Sequence, residues 1–304
     1  MPSKINYSDQ ELKDKLQIDQ KTLDRFKAIR AETIKQAQAL NKKKGKIKVL
    51  GISGSARDEF GFAREKSNSE ELLEHCLGKC KKLGAETELV ALRKMNIKPC
   101  QACYSSVNTQ CHFYCSYFPK GTAAADDMSN ILYDKILAAD VIIFATPVNN
   151  FKISTMMAAF LDRCISLDGS LSPADPKKPK DKDLNIKHAE FVELAADDNL
   201  PGSGFLRRFS GKTAGVIVTG HEEGAALVIS SLFMTLSHYG MIFPPFNNMY
   251  AMSSVCRGTY TDKPEVTSTC HKEQAGLLAE NLIMSAKLSR NIKNTDWKTV
   301  AGSD

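Results

Sequence analysis

The chain has 304 residues, 42% hydrophobic and 25% charged, with a formal net charge of +6. That is the composition of a globular protein with a buried core, and it excludes disorder of the whole chain. The positive excess lies largely in 41–48 and 175–183, which lack interleaved aromatic residues, so it reads as solvated loop charge and no nucleic-acid partner is expected.

Residues 8–42 contain no Gly or Pro and place Leu12, Leu16, Leu23, Phe26, Ile29 and Ile34 at helical spacing. This predicts an N-terminal extension, 1–45, of one or two amphipathic helices whose apolar stripe covers the main domain or a second subunit. The start has no leader-like apolar region, and no window approaches the roughly 18 to 20 apolar residues of a membrane span. A soluble, cytoplasmic protein without a membrane partner is expected.

From residue 46 strands alternate with helices. Short apolar, β-branched runs predict strands over 46–53, 86–92, 140–147, 212–220 and 241–246. Helical patterns occupy 67–84, 126–139, 154–167, 224–240 and 269–292. The order predicts an α/β domain over 46–292, a doubly wound five-stranded parallel sheet, followed by a tail at 293–304. Residues 168–211, rich in Pro, Lys, Asp and Gly with one short apolar piece at 189–194, read as an insertion at the ligand-binding end, a lid or a subunit contact.

In such a sheet ligands sit beyond the carboxyl ends of the strands, so the loops there carry the chemistry. After the first strand come Ser53, Ser55, Arg57 and then Ser67, Asn68 and Ser69 at a helix start. Backbone N–H groups, hydroxyls and the helix dipole suit a monophosphate there, and a capped helix after a glycine turn explains the same residues. The stretch is neither G-x-G-x-x-G nor a P-loop. After the third strand come Pro147, Val148, Asn149, Asn150 and Phe151; after the fourth come Thr219, Gly220, His221, Glu222 and Gly224. Gly220 and Gly224 are expected to let the backbone approach a flat ring. Together the loops define a mononucleotide site. Asp126 and Asp127 at a helix start read as caps, and His221 as a hydrogen-bonded loop histidine.

The segments GISGSAR, SNS, KPCQAC, DDM, ATPV, FLDR and GVIVTG occur in an order and spacing that resemble the NADPH-dependent FMN reductases of the flavodoxin-like superfamily, closest to its iron–sulfur flavoproteins. The resemblance covers about 47–167 and 211–245. It implies a flavodoxin-like fold, FMN as cofactor, NAD(P)H as co-substrate, a small-molecule or protein redox partner and a homodimer or homotetramer. It places the FMN phosphate on Ser53, Ser55, Arg57, Ser67, Asn68 and Ser69, and the ribityl chain and ring between 147–151 and 219–224. Arg57 also suits a phosphate of NADPH. The family usually has an aromatic residue where this chain has Asn149, with Phe151 the available replacement.

Four of the nine cysteines, Cys100, Cys103, Cys111 and Cys115, lie within sixteen residues as C-x2-C-x7-C-x3-C. A reducing compartment makes disulfides the least suitable use. Four thiolates on one loop suit a [4Fe–4S] cluster or zinc, and unligated thiols are the third reading. The iron–sulfur flavoproteins use a tighter pattern whose third ligand falls on Ser106; Cys111 lies one place early and Cys115 is extra. Tyr104, Phe113, Tyr114, Tyr117 and Phe118 would shield a cluster or pack a subunit contact, whereas Cys76, Cys80 and Cys164 read as small buried hydrophobes. An FMN-dependent electron-transfer oxidoreductase follows from the resemblance, with a cluster-free FMN or quinone reductase and a non-catalytic scaffold with a zinc-bound loop as alternatives.

Overall fold

The computed structural model describes residues 7–41, 45–62, 64–197, 199–220, 224–253 and 259–291. Its centre is a parallel sheet of β1 (Lys48–Ser53), β2 (Glu86–Ala91), β3 (Val141–Asn149), β5 (Thr213–Gly220) and β6 (Asn248–Met252), in the order β2-β1-β3-β5-β6. The two-residue β4 (Lys152–Ile153) folds back antiparallel on the end of β3. Setting β4 aside, this is the 2-1-3-4-5 order of flavodoxin-like proteins, whose switch point lies between β1 and β3.

The strands are buried on both faces because helices cover both. Leu50 and Ile52 of β1 pack toward α4 (Tyr133–Ala138), α5 (Thr155–Cys164) and α7 (Ala225–His238). Val49, one residue out of phase, packs toward α3 (Asn68–Lys82) and α9 (Thr269–Ser289). Cys76 and Cys80 of α3 and Cys164 of α5 are wholly buried, as their helical positions predict.

The fifth predicted strand is displaced. The apolar run 241–246 contains Pro244 and Pro245, which have no N–H for a ladder, so only Ile242 bridges β5 and the paired strand starts at Asn248. The third strand is longer than predicted. Beyond Ala145 its β1 side is unpaired, so Pro147 is tolerated while the other side continues on β5.

The insertion is not merely a loop. It contains α6 (Lys182–Ala195), opened by Asp181, whose carboxylate accepts the Leu184 N–H at 3.1 Å. The N-terminal extension forms α1 (Asp9–Leu16) and α2 (Gln20–Asn41), separated at Gln17 with φ 50°. Leu12, Leu16, Leu23 and Phe26 pack on Phe191 and Val192 of α6, so the stripe finds its partner within the same chain. Arg30 donates from Nη2 to the Ala195 carbonyl at 2.7 Å, placing a cation at the carboxyl end of α6. A short α8 (Thr259–Val266) precedes α9. Among the described residues no helix is long and apolar enough to cross a membrane.

Candidate functional site

The loop after β1 is held from two sides. The Gly54 N–H donates to the Ala145 carbonyl at 2.8 Å, and the Gly54 carbonyl accepts from the Ser154 hydroxyl. Ser154 also caps α5, accepting the Met157 N–H at 3.2 Å. One buried hydroxyl therefore ties the loops after β1 and β3 together.

Ser67 caps α3, its oxygen accepting the Glu70 N–H at 3.4 Å and lying 3.0 Å from Ser69 Oγ. The capped-helix reading is thus correct for Ser67, and it leaves the helix N-terminus facing the loop. Ser53 is buried, and its hydroxyl donates to Glu70 Oε2 at 2.7 Å, so that hydroxyl serves the loop's internal support. Asn68 is buried with Oδ1 lacking any hydrogen-bond partner. The orphaned atom is an acceptor, so a hydrogen-bond donor is what would complete it. Ser55 accepts the Arg57 N–H at 3.2 Å, and the Arg57 side chain stands half-exposed at the rim.

Behind this loop lies a network that sequence reading missed. Glu70 accepts from both Arg93 Nη atoms, the longer contact at 2.9 Å, and Arg93 Nε reaches Asp58 at 2.8 Å. Burial alone raises the Glu70 carboxyl, but the Arg93 and Ser53 hydrogen bonds outweigh it and hold the group below its ordinary range. A negative charge is thereby fixed behind Ser53. Spacing gave no signal, because Asp58, Glu70 and Arg93 come from three separate segments.

The second loop is a tight hairpin. Asn149 pairs with Lys152, and Asn150 and Phe151 both take positive φ, 50° and 62°. Phe151 stands exposed at its tip, an aromatic side chain two residues after Asn149. Pro147 lies opposite Thr219 in the β3–β5 register, so the second and third loops start side by side. Gly224 has a different role from the one expected. A Cβ there would lie 2.7 Å from Val148 Cγ1 and 2.8 Å from Phe151 Cα, so the glycine admits the hairpin backbone of the same chain rather than a ring. His221 and Glu222 lie outside the described residues.

The cysteine segment is anchored at its root by Asp126 and Arg163, whose side chains are 0% and 1% exposed. Asp126 Oδ2 accepts the Lys98 N–H at 2.8 Å, and Arg163 Nη1 donates to the Lys98 carbonyl at 3.0 Å. Burial raises the Asp126 carboxyl, yet Arg163 and the backbone N–H groups hold it below its ordinary range. Asp126 also accepts the Ser129 N–H at 3.2 Å, so its expected cap is present and the ion pair is added to it, whereas Asp127 does not cap the helix and its Oδ2 accepts the Asn96 N–H at 2.6 Å. The far side of the segment is fixed by the Phe113 N–H, which donates to the Leu171 carbonyl at 3.1 Å.

Between these anchors Cys100, Cys103, Cys111 and Cys115 are gathered, half-buried. Burial pushes the Cys111 thiol up to about 12, and Cys115, Cys100 and Cys103 add to the shift. Cys103 is raised by burial and then by Cys115 and Cys100. Like charges that oppose one another across a small volume require a cation or cluster before all can ionise. Cys100 Sγ accepts the Ala102 N–H at 3.4 Å. The donor chemistry fits a metal centre, but among the described residues no three His, Cys, Asp or Glu side chains are set at ready-made metal-binding geometry. Phe113 and Phe118 are buried beside the segment, whereas Tyr104 and Tyr117 are exposed and shield little.

Residues 47–182 match the family model of the NADPH-dependent FMN reductases. The chain is 32% identical over 120 residues to an iron–sulfur flavoprotein of Archaeoglobus fulgidus, covering 39% of this chain and 51% of that protein. It is 31% identical over 121 residues to an iron–sulfur flavoprotein of Methanosarcina thermophila, covering 40% and 54%. The chain thus spans about half the length of these curated relatives. Among solved structures it is similar to RosB with bound 8-demethyl-8-formylriboflavin-5'-phosphate, with TM-score 0.58, 17% identity and 82% of each chain covered, which shows the shared fold. The motifs read from the sequence, the strand order and the match over residues 47–182 agree, and over those residues the chain is similar to the NADPH-dependent FMN reductases.

Proposed function

We propose that the protein is an FMN-dependent oxidoreductase that takes electrons from NAD(P)H or a reduced carrier and passes them to a second acceptor. The observation that carries this reading is the loop after β1, which Ser154 joins to the hairpin at the switch point of the sheet and which ends at the capped N-terminus of α3. FMN, when bound, supplies the chemistry by accepting hydride at its N5 atom. The chain's residues bind, orient and shield. Ser55, Arg57, Ser67, Asn68 and Ser69 hold the phosphate with the N-terminus of α3, and the buried Ser53–Glu70 contact keeps the loop in place. Pro147 to Phe151 line one side of the ring and Thr219 and Gly220 the other.

The family match over 47–182 and the two flavoprotein relatives support the reading. Purified protein is expected to absorb as a flavin, to release FMN on denaturation and to oxidise NADPH or NADH in the presence of an artificial acceptor. Protein that neither carries nor binds FMN overturns it.

The gathered cysteines favour a second element of the reading, a [4Fe–4S] cluster held by Cys100, Cys103, Cys111 and Cys115, which when bound would supply one-electron steps. Iron and acid-labile sulfide near four per chain after anaerobic purification supports it. Zinc in their place assigns a structural metal, and neither metal assigns a cluster-free reductase.

A further inference from the structure

At the amino edge of the sheet, the pole opposite the flavin loops, lies a cavity of about 430 Å³ between α2 and the start of β1. Lys48 to Ser53 is the six-residue length of β1, five steps of about 3.3 Å, so this cavity is about 16 Å from the phosphate loop. Leu40 of α2 and Leu137 of α4 give it an apolar wall, and Lys46 and Lys48 stand exposed at its mouth. Arg290 and Asp140 on the same wall pair with each other at 2.9 Å. Asp134 is engaged by Lys120 and by the Tyr114 hydroxyl.

Arg208 differs from these. It is 2% exposed and forms no salt bridge with any described carboxylate. Its Nη1 donates to the Ser170 and Leu206 carbonyls at 3.1 and 3.2 Å, and its Nη2 to Gln36 at 3.4 Å. Its Nε has no acceptor, and its guanidinium lies 4.0 Å from the centre of the Phe113 ring. Burial draws its pKa down to about 9, which still leaves it charged at neutral pH. A buried cation with an unsatisfied donor is costly unless an anion completes it.

We propose that this cavity is a second ligand site, taking an amphipathic anion whose carboxylate or phosphate head meets Arg208 and the two lysines while its apolar body lies on Leu40 and Leu137. The occupant bridges α2 to the sheet edge and is independent of the flavin.

Isothermal titration calorimetry on the full chain with FMN bound tests this, using octanoate, octyl phosphate and octanol as probes. Saturable binding of either anion, at least tenfold tighter than octanol, is expected, and comparing octanoate with octyl phosphate identifies the preferred head. Leu40→Trp, which fills the cavity, and Lys48→Ala are each expected to weaken the anion at least tenfold while circular dichroism and bound FMN stay unchanged. Arg208→Gln is expected to abolish binding; if that variant does not fold, Leu40→Trp decides. The proposal is overturned by no saturable anion binding, by octanol binding equally well, or by anion affinity that survives Leu40→Trp.

Discussion

Arg163 and Asp126 form a buried ion pair that grips the Lys98 peptide from both ends, one taking its carbonyl and the other its N–H. Lys98 lies two residues before Cys100, so this pair sets where the cysteine segment leaves the sheet domain. Arg163 also stacks 4.5 Å from the centre of the Phe118 ring, which closes the same corner. Removing one partner leaves an uncompensated buried charge, which costs about 3 to 5 kcal/mol. Urea unfolding of Arg163→Met and of Asp126→Asn is expected to show losses of that size. The double variant is expected to lose less than the sum of the two, and additive losses would contradict a direct pair.

Gly224 sets the distance between α7 and the hairpin. Gly224→Ala places a methyl 2.7 Å from Val148 Cγ1 and 2.8 Å from Phe151 Cα, which forces the hairpin outward. Overpacking of this kind costs about 1 to 3 kcal/mol. FMN affinity, measured by fluorescence titration, is expected to fall about tenfold, equivalent to about 1.4 kcal/mol. Unchanged affinity would remove the hairpin from the ring site.

Ser154 joins two loops through a single hydroxyl. In Ser154→Ala both the Gly54 carbonyl contact and the α5 cap are lost, and a cap alone is worth about 1 kcal/mol. FMN binding is expected to weaken along with stability. Ser8→Ala, at the remote cap of α1, is expected to lower stability without touching FMN affinity.

His112 and His188 are 3% and 1% exposed, and burial draws both down to about 4. Their folded values lie below the unfolded value, so the unfolded chain takes up protons first as pH falls. Stability is therefore full above about 6.5 and is lost between about 6.5 and 4, by about 2 to 3 kcal/mol for each histidine as an upper range. Urea midpoints across this window check it. His188→Gln is expected to flatten the slope, and a slope unchanged in that variant would place the effect elsewhere. Glu70 and Asp126 act lower, because their depressed values lose stability only as pH falls below the ordinary carboxylate range.

Within the cysteine segment Cys111 is the most informative position, because burial and its three neighbours all press on its thiol. Cys111→Ser is expected to lower iron content at least severalfold after anaerobic purification. Cys76→Ala, deep on α3, is expected to cost stability and leave iron unchanged. Equal iron in both variants would detach Cys111 from any cluster.

The alternation of strands and helices was legible in the amino-acid sequence because buried parallel strands are continuous apolar runs and the helices between them are capped and periodic. The loops at the carboxyl ends were legible for the same reason: their positions follow from where the strands stop. The insertion carries a helix signal too, since Asp181 followed by a stretch without Gly or Pro marks the start of α6. The paired prolines at 244 and 245 likewise argue against a strand there.

What only the tertiary structure decided are relations between distant segments. The N-terminal stripe and α6 show apolar faces in isolation, but their pairing depends on the chain returning after some 160 residues from Phe26 to Phe191. The Glu70–Arg93–Asp58 network, the Arg163–Asp126 grip on Lys98 and the burial of the Arg208 guanidinium are of the same kind. A charged residue reads as solvent-facing in a sequence, and its burial is fixed only when packing removes water and supplies, or withholds, its partner.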